Sequence, residues 1–486
     1  MRSVSKPIFL VLLVGLVAGC GGGGGGSSLP TFSSPAPLEP EAGTWRTWVV
    51  ADVDALLPPA PPGASTTQTE LQQLRTLAGQ RTQAVLDEIA AWDEGTCRRW
   101  NALARQLVTS RNVSPPRASR AYALLGVAMH DAMVACFHAK YRWLRARPSD
   151  VDGDLAVVGP LVEAPSYTCD RAALSAAAAE VLLYLFPLDV GTILDLLSSA
   201  LAVDLQAGRC FPSDVTAGET LGATVGQLVV ARAQADGADA ATIATHTPDG
   251  SPYTPAPAPG TASWLPTPAG FAPALLPGWG GVEPWVLATG AVLVLPPAPA
   301  YGSAQWLALV TEVHDVSQNL TPERIFSAQF WADGPGTATP PGHWNAIAAD
   351  AGLQDGWNEC RMARLFAILG VAQADAFIAC WWNKYFHDLV RPITEIRLRF
   401  DPGWLSIVPT PPFPTYPSGH SSTSGAASQV LAYLFPDRAI EFTTMGSDAM
   451  NSRLYGGIHY SIDNNGGLDL GRSIANRVLQ RVAADE

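Results

Sequence analysis

The second half of the chain carries three short segments in which cations, imidazoles, a hydroxyl and a carboxylate recur at close spacing. In chain order these residues are Lys384, Arg391, Ser418, Gly419, His420, Arg453, His459 and Asp463. Lys384 and Arg391 lie seven residues apart, which predicts a separation of two turns along one helix face. A guanidinium fork beside an ammonium is suited to a tetrahedral oxyanion. The residue types therefore predict an oxyanion site with acid/base groups beside it.

The second and third segments indicate how such a site would be built. Ser418 stands where the N-cap of the following helix would lie, so free backbone N–H groups near it can point at an anion. Gly419 permits a close backbone approach. His459 and Asp463 lie four residues apart. The carboxylate is therefore expected to fix the imidazole tautomer and to leave the other ring nitrogen as a nucleophile or a metal ligand.

The elements that must position these residues are predicted to be helical. Apolar residues recur at intervals of three and four, and almost no run has a two-residue period, so the predicted fold class is all-α. Helices are predicted over 68–109, 118–144, 171–185, 218–235, 304–313, 356–385, 421–434 and 468–482. No internal segment is predicted to be a clean membrane span, because the best, 181–203, is interrupted by Pro187, Asp189 and Asp195.

The two halves of the chain resemble each other. At an offset of 244 residues, the matches are Gly126 with Gly370, Asp131 with Asp375, Cys136 with Cys380, Lys140 with Lys384 and Arg147 with Arg391. Further on the offset becomes 249, where Tyr184 to Pro187 matches Tyr433 to Pro436 and Gly222 matches Gly471. A constant offset that also matches Lys, Arg and Cys predicts two tandem, pseudo-symmetric helical bundles that pack together.

The first half lacks the chemistry of the second. At the offset of 249, Cys169-Asp170-Arg171 faces Ser418-Gly419-His420, while Asp204 faces Arg453 and Cys210 faces His459. Both imidazoles and a guanidinium are replaced and two carboxylates are added, so this counterpart should repel an oxyanion. We predict one active site per chain, with Lys140 and Arg147 retained as structural ion-pair partners.

Composition limits the function classes. The chain has 486 residues, 48% of them hydrophobic and 15% charged, which is enough apolar material for a large core and excludes a wholly disordered protein. The net charge of −13 argues against a nucleic-acid partner. Of seven cysteines, six lie beyond Cys20. They allow 15 disulfide pairings, but their apolar helical surroundings favour buried free thiols.

The first residues predict export. Arg2 and Lys6 precede a short apolar run that ends in Leu16-Val17-Ala18-Gly19-Cys20, which resembles a bacterial lipobox. We expect Cys20 to carry lipid and to anchor the chain in the cell envelope, periplasmic or at the surface, with no other membrane contact. An ordinary signal peptide or an uncleaved anchor is the alternative.

Five segments are predicted along the chain. They are a lipoprotein signal peptide at 1–20, a Gly/Ser/Pro tether at 21–44, an N-terminal degenerate bundle at 45–245, a Pro/Gly-rich connector at 246–303 and a C-terminal catalytic bundle at 304–486.

The three segments, in their order and spacing, resemble the signature shared by vanadium-dependent haloperoxidases and type 2 phosphatidic-acid phosphatases. The segments from Ser119 to Lys140, from Phe330 to Gly336 and from His343 to Asn345 are also similar to bacterial haloperoxidase-type proteins. The resemblance extends from about Trp92 to Glu486 and implies a helical-bundle enzyme.

The resemblance implies a role for each residue. His459 would bind vanadate through its ring nitrogen, or attack phosphorus in a phosphatase. The equatorial oxygens would be held by Lys384, Arg391, Ser418, Gly419 and Arg453. His420 would be the general acid/base and Asp463 would orient His459. Trp381 and Phe413 match residues that line the halide side of the pocket, and Phe413 favours a chloroperoxidase-like pocket.

Three hypotheses follow for the function. The first is a vanadate-dependent haloperoxidase that oxidises a halide with hydrogen peroxide, with Lys384 polarising the bound peroxide. The second is a secreted acid phosphatase that cleaves a phosphoester through a phosphohistidine, since phosphate and vanadate are near-isosteres. The third is a surface lipoprotein that binds an oxyanion without turnover. The paired His420 and His459 argue against the third, and the sequence leaves open whether the chain forms a homodimer.

Overall fold

The computed structural model describes residues 29–243 and 252–484, and these residues form helices joined by irregular segments. Seventeen α-helices and two isolated β-bridges occur within these ranges, which confirms the all-α prediction. The helices are α1 Ala64–Gly79, α2 Gln83–Asp93, α3 Thr96–Ser110, α4 Pro115–Trp143, α5 Pro148–Val151, α6 Asp170–Leu185, α7 Val190–Ala207, α8 Pro212–Ala235, α9 Ala238–Ile243, α10 Ala304–Gln318, α11 Pro322–Phe330, α12 Thr339–Gln354, α13 Glu359–His387, α14 Pro392–Arg399, α15 Gly419–Leu434, α16 Ala439–Tyr455 and α17 Ser461–Ala483.

The helices repeat as the sequence predicts. Helices α4 and α13 both have 29 residues, α6 and α15 both have 16, and they begin 244 and 249 residues apart. The pairs α7 with α16 and α8 with α17 complete the correspondence. Asn101 on α3 donates to Asn345 on α12 at 2.8 Å, and these two residues are also 244 positions apart. The two pseudo-symmetric bundles are therefore confirmed.

The bundles share one core, which is centred on the crossing of α4 and α13. Gly126 lies against the backbone of Phe366, and Gly370 lies against that of Ala123, with 2.8 Å from the site of an added Cβ at Gly370 to the Ala123 Cα. Glycine is required at such a crossing because any side chain would push the helices apart. The core is continuous from one bundle to the other.

Each bundle also includes a short segment that precedes its first long helix. The carboxylate of Asp131 accepts backbone N–H groups from residues 48–50, and that of Asp375 accepts them from residues 285–287. Short 3-10 helices at Pro40–Thr44 and Pro277–Gly281 pack on α4 and α13. The predicted division at 45, 246 and 304 stays a prediction, but both 3-10 helices are integral to the bundles. Cys20 and the residues up to 28 lie outside the described residues.

Several predicted helix boundaries are wrong. The single helix predicted over 68–109 is three helices, broken after Gly79 and again at Gly95, whose φ of 122° suits glycine. The sequence prediction missed α7, α11, α12, α14 and α16, together with the short helices α5 and α9. The inward face of α16 includes Gly446, Ser452 and Arg453, so its apolar periodicity is weak because functional and small residues replace hydrophobic ones.

Three helices are long and apolar enough to cross a membrane by length and composition, contrary to the prediction of no such internal segment. They are Pro115–Trp143, Val190–Ala207 and Glu359–His387. The first and third are 94% buried within the protein across the relevant window, whereas the second is 28% buried. The small apolar residues that make α4 and α13 resemble spans serve here to pack the core. The six cysteines beyond Cys20 are free and buried, as predicted.

Candidate active site

The predicted site residues converge at one end of the second bundle. Lys384 lies in the last turn of α13, Ser418 caps α15, and Arg453 lies in the last turn of α16. His459 precedes α17, and Asp463 lies in the first turn of that helix. The structure thus gathers five segments that are up to 80 residues apart in the sequence.

Lys384 and Arg391 do not share a helix face, so that prediction is wrong. Helix α13 ends at His387, Asp388 adopts a left-handed conformation with φ 47°, and Arg391 is the N-cap of α14. The residue before Pro392 is sterically biased away from the helical region, which ends the helix early. The two cations still meet, because the chain turns back between them.

The guanidinium of Arg391 is fully buried, and only some of its N–H donors have hydrogen-bond partners. Its Nε donates to the Phe413 carbonyl and its Nη1 donates to the Ile458 carbonyl, both at 2.8 Å. Nη1 also lies 3.2 Å from Nε2 of His459. Nη2 has no hydrogen-bond partner among the described residues. Burial lowers the pKa of Arg391 to about 10, so the group stays charged at neutral pH with one face unmatched.

The ammonium of Lys384 is held by the loop that precedes α15. It donates to the carbonyl oxygens of Pro414 at 2.9 Å, Thr415 at 3.0 Å and Pro417. All three N–H donors are therefore engaged, and contact with an oxyanion would require one of them to change partner. Burial lowers the pKa of Lys384 to about 7.

The imidazole of His459 is fixed as the sequence predicted. Its Nδ1 lies 3.0 Å from Oδ2 of Asp463, which also accepts from the Tyr460 backbone at 2.9 Å and from the Thr415 hydroxyl. Because Nδ1 faces a carboxylate and Nε2 faces a guanidinium donor, the proton belongs on Nδ1 and the lone pair of Nε2 faces the cage. Burial, with Arg391 next, holds the pKa of His459 well below its usual range.

The start of α15 supplies neutral donors. The Ser418 hydroxyl accepts from the Ser421 backbone at 3.2 Å and from the Ser421 hydroxyl at 3.0 Å, so its own proton is free to donate. The first N–H groups of a helix have no intrahelical acceptor. A Cβ at Gly419 would lie 3.1 Å from the Trp381 ring, so a larger residue would press on the pocket wall.

Sequence reasoning missed two residues beside His420. Nε2 of His420 has no hydrogen-bond partner among the described residues, and the nearest carboxylate, Oδ2 of Asp333, lies 3.6 Å away. His343 lies 3.1 Å from the other oxygen of Asp333. Burial, with Arg453 next, holds the pKa of His420 well below its usual range. The signal for Asp333 and His343 was present, because both lie in the segments that resemble haloperoxidases.

Trp381 and Phe413 lie together beside the two cations. Their ring centroids are 4.9 Å apart. The Lys384 Nζ lies 4.8 Å from the centroid of Phe413, and the Arg391 guanidinium carbon lies at the same distance from that ring. An apolar surface therefore adjoins the two cations.

Three cations are buried in the assembled site without a direct ion pair. Lys384, Arg391 and Arg453 are at most 1% exposed, and none of them forms an ion pair with a carboxylate of the described ranges. Burying a cation without a partner is costly. Together with the unmatched Nη2 of Arg391, the lack of direct ion pairs favours a bound anion in this site.

The counterpart in the first half is neutralised internally. Lys140 pairs with Asp170 at 3.3 Å, and Arg171 pairs with Asp204 at 3.1 Å. Arg147 pairs with Asp150 at 3.0 Å. The retained cations are thus structural ion-pair partners, as predicted, and no cation excess remains there to attract an oxyanion.

Comparisons with known proteins show which proteins the chain resembles. The family model for the second helical-bundle domain of VCPO matches residues 364–447. The vanadium chloroperoxidase of Curvularia inaequalis is 30% identical over 148 residues, and this stretch covers 25% of the chain and 24% of that relative. The chain thus matches about a quarter of the length of this curated relative.

Solved structures extend the similarity to most of the chain. The structure titled as the first bacterial vanadium-dependent iodoperoxidase matches with a TM-score of 0.66 and 27% identity, and it covers 79% of this chain and 96% of that one. A holo-type bacterial vanadium-dependent chloroperoxidase matches with a TM-score of 0.56 and 17% identity, covering 77% and 94%. The second match supports the fold alone.

Proposed function

We propose, from the premise that this chain is a member of the superfamily of vanadium-dependent haloperoxidases, that it oxidises halide with hydrogen peroxide at a vanadate bound to His459. The observation that carries the proposal is a cage of three buried cations, Lys384, Arg391 and Arg453, whose charges act on His459, with Nη1 of Arg391 3.2 Å from its Nε2. A tetrahedral oxyanion supplies the negative charge that this cage lacks, and a ring nitrogen aimed into it supplies a ligand for the central atom.

The residues present fit vanadate. Nε2 of His459 would give up its contact with Nη1 of Arg391 and bind the central atom. The unmatched Nη2 of Arg391, the Ser418 hydroxyl, the N–H of Gly419 and the Arg453 guanidinium would hold oxygens. Lys384 would join them by exchanging a carbonyl partner. When bound, vanadate supplies Lewis-acid activation of hydrogen peroxide.

The chain's own residues then handle protons and exclude water. His420 is neutral because of its lowered pKa, so its free Nε2 can accept a proton from incoming hydrogen peroxide and return it to a leaving hydroxide. Asp463 keeps the proton on Nδ1 of His459. Trp381 and Phe413 give the halide an apolar approach beside the charge of Lys384.

The test compares two reactions on one preparation. The purified chain is incubated with or without orthovanadate. One aliquot then receives hydrogen peroxide, a phenolic dye and iodide, bromide or chloride, and the other receives a phosphomonoester. We expect vanadate-dependent halogenation that is lost in His459→Ala. Halogenation that is equal with and without vanadate, or unchanged in this variant, would contradict the proposal.

An acid phosphatase is the second candidate, and a specific observation favours it. The same lone pair of His459 and the same neutral His420 would serve as nucleophile and proton carrier for a phosphoester. In the phosphoester aliquot, hydrolysis that vanadate inhibits, without halogenation, would replace the first proposal with this one. Binding of phosphate without either reaction would indicate the oxyanion-binding lipoprotein.

We also propose that the chain is exported and anchored by lipid on Cys20, a residue outside the described ranges. The support is the lipobox-like sequence that ends at Cys20. Labelling of the producing cells with a tagged fatty acid should mark the protein, and Cys20→Ser should remove the label and release the chain from the membrane fraction. A labelled Cys20→Ser variant would contradict this assignment.

A further inference from the structure

The first bundle contains a buried cluster of three ligand-type side chains that the proposed reaction does not use. Cys169, Asp204 and Cys210 each present one sulfur or oxygen atom, and these atoms lie within 4.8 Å of one another. The three residues are 1%, 5% and 7% exposed. Two thiols and a carboxylate that converge away from solvent form a ligand set for a thiophilic cation.

The repeat explains why the three groups converge. Cys169 caps α6 as Ser418 caps α15, Asp204 lies near the end of α7 as Arg453 lies near the end of α16, and Cys210 precedes α8 as His459 precedes α17. The backbone therefore brings together three side chains suited to binding an anion in the second bundle, and three side chains suited to binding a cation at the equivalent positions of the first.

The distances are close to those of a metal site. The Cys169 sulfur lies 3.5 Å from Oδ2 of Asp204. Two ligands of a tetrahedral zinc site with bonds of about 2.0–2.3 Å are roughly 3.3–3.8 Å apart, so the 4.8 Å limit requires the separation of two ligand atoms to shorten by about 1.5 Å at most. Such a shift is within the reach of side-chain rotation.

We propose that Cys169, Cys210 and Asp204 form a structural site for a thiophilic divalent cation of the zinc class. Binding breaks two S–H bonds, forms two metal–sulfur bonds and one metal–oxygen bond, and releases two protons to solvent. No electrons are transferred. Because one divalent cation replaces two protons, the net charge of the cluster does not change.

Because the net charge of the cluster does not change, metal binding adds no net repulsion toward the two arginines beside it. Arg171 donates to Oδ2 of Asp204 at 3.1 Å, whereas Arg209 lies 3.7 Å from Oδ1, beyond hydrogen-bond distance. Oδ2 is the oxygen nearest the Cys169 sulfur, and it has a second lone pair, not used by Arg171, that can bind the metal. Arg171 orients the carboxylate through the same oxygen, as outer partners of metal ligands commonly do. The ion would join the start of α6 to the turn between α7 and α8.

The first experiment measures metal content. The full chain is purified, stripped with a chelator and exposed to zinc alone, and bound metal is then counted by elemental mass spectrometry. We expect one zinc ion per chain, a raised melting temperature with zinc, and protection of two thiols from an alkylating reagent. Cobalt in place of zinc should give a sulfur-to-metal charge-transfer absorption band.

Substitution of the proposed ligands tests where the zinc ion binds. Cys169→Ser and Cys210→Ser should each lose most of the bound zinc and the cobalt absorption band, while Cys360→Ala removes an equally buried thiol elsewhere and should retain both. Oxyanion affinity of the second bundle should stay unchanged on zinc removal, so this test and that of the proposed function fail independently.

Two results on the wild-type chain would overturn the proposal, and neither depends on whether a variant folds. One is a wild-type chain that retains no zinc after reconstitution while both thiols react freely. The other is a chain whose mass is lower by two hydrogens and whose Cys169 and Cys210 peptides are linked, which would make the pair a disulfide.

Discussion

Lys140 and Lys384 occupy equivalent positions near the ends of α4 and α13, and both donate to the loop that precedes the next long helix. The bond from Lys140 to the Pro165 carbonyl oxygen is 2.8 Å, and the bond from Lys384 to the carbonyl oxygen of the aligned Pro414 is 2.9 Å. The residue after the helix cap differs between the bundles. In the first it is Asp170, which neutralises Lys140. In the second it is Gly419, and Lys384 has no carboxylate partner among the described residues. The contact between the lysine and the loop is therefore common to both bundles, whereas the lysine that lacks a carboxylate partner is specific to the candidate site.

A second pair supports the same distinction. Asp214 and Asp463 each accept the backbone N–H three residues earlier at 2.9 Å, and each accepts a hydroxyl from the preceding loop. Asp463 also holds His459, whereas Asp214 pairs with Arg145 at 2.6 Å. One framework thus serves an imidazole in one bundle and an ion pair in the other.

The largest expected effect distinguishes the two residues that lie two positions after the helix caps, His420 and Arg171. His420→Ala should lower the halogenation rate by about 10²–10⁴-fold because it removes the proton carrier. Arg171→Ala, at the equivalent place, should keep the rate per folded molecule. Steady-state kinetics on samples matched by circular dichroism measures both, and equal losses would refute the assignment of chemistry to one bundle.

The paired aspartates should give the next largest difference. Asp463→Asn should weaken vanadate binding by about 10–100-fold, because the carboxylate orients the ligating imidazole. Asp214→Asn should leave the affinity unchanged but destabilise the chain by about 3 kcal/mol, since it strips a buried guanidinium of a partner. Equilibrium dialysis and urea unfolding distinguish these results, and weaker vanadate binding in Asp214→Asn would count against the comparison.

Two matched glycines test the shared framework. Gly222 packs against the backbone of Ala173, and Gly471 packs against that of Ser422. Gly222→Ala and Gly471→Ala should each cost about 1–3 kcal/mol of unfolding free energy, because the added methyl overpacks a close helix contact. Unequal costs, outside the error of chemical denaturation, would show that the bundles are not equivalent in packing.

The smallest effect concerns pH. The pKa of Lys384 is about 7, so below pH 7 the free site is already protonated, and above it each anion bound must bring a proton. Sulfate, whose charge is constant in this range, should therefore bind about tenfold more weakly per pH unit above 7. Lys384→Met should remove this slope, whereas Lys140→Met should keep it. Calorimetric titration at several pH values measures it, and a slope that survives in Lys384→Met would assign the titration to another group.

Much of the site could be predicted because its chemistry depends on local spacing. The cap at Ser418 and the pair of His459 and Asp463 are set within one helix turn, so residue type and interval were sufficient. The relation of Lys384 to Arg391 was misjudged, because Pro392 ended a helix that spacing alone would have continued. Asp333 and His343 were missed as neighbours of His420, since no local interval joins residues about 80 positions apart.

The sequence by itself determined the all-α class, the duplication and the candidate site residues that the fold brings together, because helical periodicity and repeated offsets are properties of the chain. Only the tertiary structure decided which charges are compensated. Lys384 and Lys140 look alike in the sequence, and the ion pairs and carbonyl contacts that distinguish them come from segments brought together by packing. The cluster of cations without direct ion pairs in the second bundle and the thiol cluster of the first exist only once the core of α4 and α13 has placed those segments side by side.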